Sequence, residues 1–348
     1  MKTSELVLLF LSHTDTSSGP YVAGNLLNLE LGHVTARAEI LETFKPFTLS
    51  CAMLVRLQNH PELSTSIALK VYDRRFATQL RSDERTPPWS LEIEHQFHQF
   101  IQNGSAERLI EKFKTDKYNK IDDVRKDVAH CETYLHYFSR KTFETEVRVY
   151  HQLSEYQGRH IPRFYGTVKV REGPGLNLQS PDEFEDIQGI LIQYIDGFRL
   201  TELATRCPKE YWQSIGEDAI HIVHCLDSAG VLNEDVSMRN YLICKDEKGN
   251  YKAFMIDLGM CQFRQDFDGD YEDWRQVKYF FNEEGAVGWG LWRSLKPDFV
   301  YHRTGFYKKL DEDFDDEPPP GHVEFETIRD YRLGHHEDWP LYMHCSQL

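Results

Sequence analysis

The sequence predicts an α+β protein, strand-rich toward its N-terminal side and more helical beyond. Three observations carry this. Residues 33–41, 47–57 and 67–72 are successive runs rich in strand formers, the second of them alternating. Residues 209–229 set apolar side chains at 211, 215, 219, 222, 223 and 226, one stripe of a helix that Gly230 stops. Residues 241–244 and 251–256 are short apolar runs flanking a turn at 246–250, which reads as a hairpin.

Bulk properties narrow the class. A chain of 348 residues holds one large or two ordinary domains and can bury a sizeable core. Its hydrophobic share of 40% and charged share of 28% are those of an ordinary globular protein. The net charge of −16 argues against nucleic-acid partners and against an anionic membrane surface. Part of that excess is the acidic run at 311–317, which reads as a solvated linker. The seven cysteines (51, 131, 207, 225, 244, 261, 345) form no C-x-x-C pair. They read as reduced thiols of a cytoplasmic or nuclear protein, and no zinc site is expected from them. His335, His336 and His344 read as surface histidines. The apolar run 6–11 is too short to span a bilayer and lacks a signal-peptide pattern, so a strand or buried segment is expected there.

In chain order, residues 1–34 read as a lead-in, with a turn at Gly19-Pro20. Two strands follow, joined through Lys45-Pro46, and then a third at 67–72. Lys70 lies inside that third run. A charge there fits the solvent face of an edge strand, or it fits a role. Residues 81–140 are polar, carry Pro87-Pro88, and hold helical stretches at 91–101 and 106–113. Residues 143–153 have helical spacing, with apolar side chains at 143, 147 and 150. Strands are expected at 160–166 and 189–195, separated by a loop with Gly173, Gly175 and Pro181. After Gly259 the chain turns acidic and aromatic, then helical and tryptophan-rich to about residue 295, and ends in an irregular tail with prolines at 318–320.

The central stretch is the loop after Gly230. Asp235 stands five residues before Asn240; the hairpin follows, and Asp257-Leu258-Gly259 closes it. A carboxylate that takes a hydroxyl proton, with an amide oxygen and a second carboxylate for cations, is the set that phosphoryl transfer uses. These residues resemble the catalytic loop and metal-binding motif of the protein-kinase-like fold, most closely the divergent kinase-domain proteins of filamentous and mushroom-forming fungi. The resemblance covers roughly residues 35–295 and implies a two-lobed arrangement. It places a small β-rich lobe at 35–195, with a helical insertion at about 81–140, a larger helical lobe at 196–300, and an acidic linker and tail at 301–348.

The resemblance also implies roles. Asp235 is the catalytic base, and Asn240 and Asp257 hold Mg2+. Lys70, in Ile67-Ala68-Leu69-Lys70, contacts the ATP phosphates. Glu146 pairs with Lys70, with Glu144 as the rival. Gln193, Tyr194 and Ile195 offer backbone groups to the adenine. The chain departs from the pattern at four places. No G-x-G-x-x-G lies in 33–57, Asn233 and Glu234 replace the His and Arg of H-R-D, and no A-P-E follows Gly259. Glu234 would repel a phosphorylated loop, so activation by loop phosphorylation is not expected. The function expected is ATP-dependent phosphotransfer to a Ser or Thr hydroxyl of a protein. A small-molecule kinase is the first alternative; residues 269–274 faintly echo the acidic motif of aminoglycoside and choline kinases. An inactive nucleotide-binding scaffold is the second.

Overall fold

The computed structural model describes residues 19–58, 67–115, 126–170, 184, 186–246, 248–267 and 271–314. The readings for residues 6–11, Gly173, Gly175, Pro181, Gly269, the prolines at 318–320, Cys345 and the three C-terminal histidines lie outside these residues. The described chain divides into two compact units. One draws on Met1–Asp116, Lys120–Ser139 and Thr167–Leu191, the other on Arg140–Gly166 and Ile192–Leu348.

The first unit is built on a closed barrel of six strands: β1 (Leu26–Leu31), β2 (Val34–Thr43), β3 (Cys51–Gln58), β4 (Ile67–Val71), β5 (Phe164–Val170) and β6 (Ile187–Gln193). Around the barrel the order is β1-β2-β3-β4-β6-β5. The sequence predicts a two-lobed protein-kinase-like fold, and the barrel corrects that expectation. The cause is β1, which the sequence places in a lead-in. It pairs antiparallel with β2, Leu29 opposite Ala36, and with β5, Leu29 opposite Val170. With both its edges paired, β1 closes the sheet and leaves no free edge. Leu27 and Leu29 are inward, at the period-2 positions of a half-buried strand, and join Ile40, Met53, Val55, Leu69, Val71 and Val170 in one core.

In β4 the residues Ile67, Leu69 and Val71 enter that core, so Lys70 belongs to the opposite face. It is not on an edge: β4 lies between β3 and β6, with Lys70 opposite Ala52. Lys70 is buried all the same. Gly189 of β6 is a close-approach point, since a Cβ there would sit 2.9 Å from the Lys70 carbonyl oxygen.

Helices α1 (Thr78–Asp83), α2 (Leu91–Gln102), α3 (Ser105–Thr115) and the first half of α4 (Val128–Gln152) complete the unit. Ser90 caps α2, its hydroxyl accepting from the Ile93 N–H. This polar segment folds around buried charge. Arg74 donates to both Glu94 oxygens, at 2.6 and 2.7 Å, and pairs with Glu132, which also accepts from Arg81 at 2.6 Å. The Arg74 guanidinium lies 4.2 Å from the Phe97 ring centre. Helix α4 starts at Val128 rather than at 143, because Cys131, Leu135 and Phe138 give its first turns a buried face.

The second unit takes the rest of α4, then β7 (Phe198–Arg199), α5 (Leu203–Arg206), α6 (Trp212–Ser228), β8 (Val231–Asn233), β9 (Tyr241–Lys245), β10 (Tyr251–Met255), β11 (Cys261–Phe263), α7 (Tyr271–Phe281), α8 (Glu283–Leu295) and α9 (Gly305–Phe314). Strands β10-β9-β7 make one small sheet and β11-β8 another. The expected stripe on α6 is real: Ile215, Ala219, Ile222, Val223 and Leu226 are buried, although Tyr211 falls in a preceding turn and is exposed. The stretch read as linker differs. Residues 311–314 end α9, and Arg303 grips Asp311 with two hydrogen bonds of 2.5 and 2.6 Å. The six described cysteines are free thiols. Among the described residues, no helix is long and apolar enough to cross a membrane.

Candidate functional site

The second unit gathers Asp235, Asn240 and Asp257 around one buried side chain, Asn233. Asn233 is the last residue of β8, where Asn233 opposite Cys261 ends the two-stranded pairing. Its side-chain oxygen accepts from the Asp235 N–H at 3.0 Å, and its side-chain nitrogen donates to the Asp257 carbonyl at 3.3 Å. Its own N–H goes to Glu283 Oε1 at 2.9 Å. Glu283, fully buried, is in turn paired with Lys278 and accepts from Tyr307 at 3.3 Å. Asn233 thus fixes both carboxylate-bearing turns from behind. It occupies the place where the resemblance expects a loop-supporting His, and it performs that support with a different shape.

Asn240 ends a short turn, and its side-chain nitrogen donates twice to Asp235, to the carbonyl at 2.7 Å and to Oδ2 at 3.0 Å. That commitment leaves the Asn240 amide oxygen as the group offered to a cation. The Asn240 carbonyl accepts from the Ile256 N–H at 2.8 Å, which ties the start of the hairpin to the residue before Asp257. Asp257 itself has φ +67°, the left-handed region that Asp tolerates better than most residues. The next Gly, Gly259, is required by space: a Cβ would lie 2.5 Å from Thr142 Cγ2 and 3.3 Å from Glu146 Oε2.

Burial pushes Asp235 up to about 6, the Asp257 charge adds to the rise, and Arg239 and Asn240 oppose it. Arg239 donates to Asp235 Oδ1 at 2.7 Å. Burial also raises Glu234, whose carboxylate accepts from the Gln262 amide. Glu146, in the second half of α4, is completely buried. Burial raises the Tyr150 hydroxyl well above its usual range, and the charges of Glu146 and Asp257 push the same way.

The expected residues therefore fall as follows. Glu146, Asp235, Asn240 and Asp257 belong to the second unit, and Lys70 belongs to the barrel unit. Gln193 N–H is already given to the Arg163 carbonyl at 2.8 Å, and its side-chain oxygen accepts from Arg163 N–H at 3.2 Å. Its main-chain N–H is therefore not open to a base edge, whereas Ile195 is buried just beyond it. Glu144 is solvent-facing and bonded to Arg140. Sequence reasoning missed Glu283 and Lys278, which back the site. Nothing in a Lys and a Glu five residues apart across a helix break signals a buried pair.

Two carboxylates and an amide oxygen form a hard-oxygen set of the kind Mg2+ prefers, with no soft donor among them. The chemistry of the donors fits that ion. The fold is thus α+β with a six-stranded barrel, and the site is an Asp–Asn–Asp constellation hung on one asparagine. No protein-family model matches this sequence, and no curated protein matches it.

Proposed function

We propose that the chain is an ATP-dependent phosphotransferase, and that Asp235, Asn240 and Asp257 carry the transfer. The single observation behind this is the Asn233 bridge, which holds Asp235 and Asp257 in one hydrogen-bonded frame. Such a frame meets the need of phosphoryl transfer, which asks the protein for positioning and charge more than for covalent chemistry. Asp235 accepts the proton of an attacking hydroxyl as that oxygen bonds the γ-phosphorus and the bond to the β-phosphate oxygen breaks, releasing ADP. With a value of about 6, Asp235 is ionised at neutral pH yet close enough to its working range to take a proton. Asn240 orients Asp235 through its amide nitrogen. Asn240 and Asp257 would hold Mg2+, which would supply positive charge against the phosphates. The acceptor is proposed to be a Ser or Thr hydroxyl of a protein.

One observation favours a second reading, a nucleotide-binding scaffold without transfer. The Arg239 guanidinium sits on the oxygen of Asp235 that Asn240 leaves open.

Thermal stabilisation by ATP, with and without Mg2+, tests the binding half in wild type and Asp257→Asn. Magnesium-dependent stabilisation lost in the variant is expected; no nucleotide effect in wild type rejects both readings. Transfer of labelled phosphate to protein mixtures and to metabolite pools, with Asp235→Asn as control, then separates enzyme from scaffold and protein acceptor from small molecule.

A further inference from the structure

His160, His221 and Cys225 lie together in the second unit, and none of them is named in the transfer. His221 and Cys225 are one turn apart on α6, so both project from one face. His160 comes from the turn before β5. The donor atoms of the three side chains all lie within 4.8 Å of one another. Cys225 Sγ is 3.5 Å from His221 Nε2. Bonds of about 2.0 Å to nitrogen and 2.3 Å to sulfur, at a tetrahedral angle, set those two atoms about 3.5 Å apart. The pair on α6 thus already has the span of one edge of a zinc tetrahedron. The His160 and His221 rings are 5.3 Å apart and meet edge to face at 76°.

A second observation is independent of the spacing. The Nδ1 of His160 is buried and has no hydrogen-bond partner among the described residues. A buried ring nitrogen without a partner is costly, and a cation would satisfy it. His221 is exposed, and it lines an open groove with Gln213, Glu217, His224 and His302, so a path from solvent reaches the cluster.

We propose that His160, His221 and Cys225 bind one zinc ion, with a solvent molecule as fourth ligand. On binding, the Cys225 S–H bond breaks, sulfur bonds the metal, and the proton leaves to solvent. The ion ties α6 to the turn that holds the hairpin, because the His160 carbonyl accepts from the Met255 N–H at 2.8 Å and Asp218, one turn earlier on α6, accepts from the Ala253 N–H at 2.8 Å. Binding is independent of whether the Asp235 site transfers phosphate.

The test uses the full chain, untagged and freed of metal, titrated with Zn2+ against a chromophoric chelator and with Co2+ by absorption. One equivalent of zinc is expected to bind, with a sulfur-to-cobalt charge-transfer band in the near ultraviolet. Cys225→Ser should abolish the band, and Cys225→Ser and His221→Asn should each weaken zinc by about 100-fold or more. Asp257→Asn should leave zinc binding as it was. His221 is exposed, so His221→Asn keeps the test open should Cys225→Ser fail to fold, which circular dichroism reports. Failure of the wild type to bind one equivalent overturns the proposal. So does zinc binding that neither substitution weakens, or a cobalt spectrum without the sulfur band.

Discussion

The Asn233 side chain donates to the main-chain carbonyl of Asp257 at 3.3 Å while its oxygen holds the Asp235 N–H. Asn233→Ala removes both bonds at once in a place that water does not reach, since Asn233 is 1% exposed. The expected cost is about 1–3 kcal/mol for each buried group left without a partner. Urea unfolding monitored by circular dichroism measures it. Nucleotide stabilisation should fall in the same variant, because both acidic turns lose their common support.

Asp235 gives opposite effects on stability and on transfer. Its folded value, about 6, lies above the ordinary 3.8, so the ionised carboxylate disfavours the folded chain. Stability from this group is full below about 3.8 and falls as pH rises through 6. Asp235→Asn should therefore be the more stable chain at pH 7.5, by on the order of 1 kcal/mol once the lost Arg239 pair is deducted, as urea unfolding would read. Transfer should disappear in that variant, and in wild type the rate should rise with pH through about 6.

Glu284 works the other way. Its hydrogen bonds from His224, Thr304 and Tyr301 overcome burial and hold the carboxyl down at about 2, against 4.5 for a free Glu. Its contribution is present above about 4.5 and is lost as pH falls toward 2. Acid unfolding curves of wild type and Glu284→Gln should converge in that window and diverge above it, with the variant the weaker at neutral pH.

Glu132 anchors the charge cluster of the barrel unit. Fully buried, it accepts from both Arg74 and Arg81. Glu132→Gln leaves two buried guanidinium groups short of one negative charge, and a loss of about 3–5 kcal/mol is expected. Chemical denaturation reads it. A simultaneous Arg81→Met exchange should recover part of the loss, because it removes one of the stranded cations.

Gly259→Ala drives a methyl group into Thr142, whose side chain would be 2.5 Å away. Overpacking of this kind costs about 1–3 kcal/mol. The strain falls on the Asp257–Gly259 turn and on Glu146, so ATP-dependent stabilisation should drop further than global stability does.

Much of this arrangement could be read from residue order. The runs at 47–57 and 67–72, the hairpin at 241–256 and the stripe on 212–228 follow from local periodicity, and they stand within a few residues of the expected places. Barrel closure could not be read, because it rests on the pairing of Leu29 with Val170, far apart in sequence and invisible to any window. The start of α4 was hidden by the charged residues of 81–140, which look like a solvated segment but bury Arg74, Arg81, Glu94 and Glu132 against one another. Asp235, Asn240 and Asp257 announce themselves by spacing, whereas the buried acceptor at Glu283 does not. The zinc ligands escape a search for paired cysteines because His160 lies sixty-one residues before His221 in the chain, and the visible part of the signal is only a His and a Cys one helical turn apart.

The hydrogen bond from Asn233 to Glu283 has a consequence for any shortened version of this chain. A fragment ending at Asn282 would keep every side chain proposed to meet the nucleotide, yet strand a main-chain amide in the dark interior with no acceptor. Helices that touch no phosphate are thus a keystone for the loops that would.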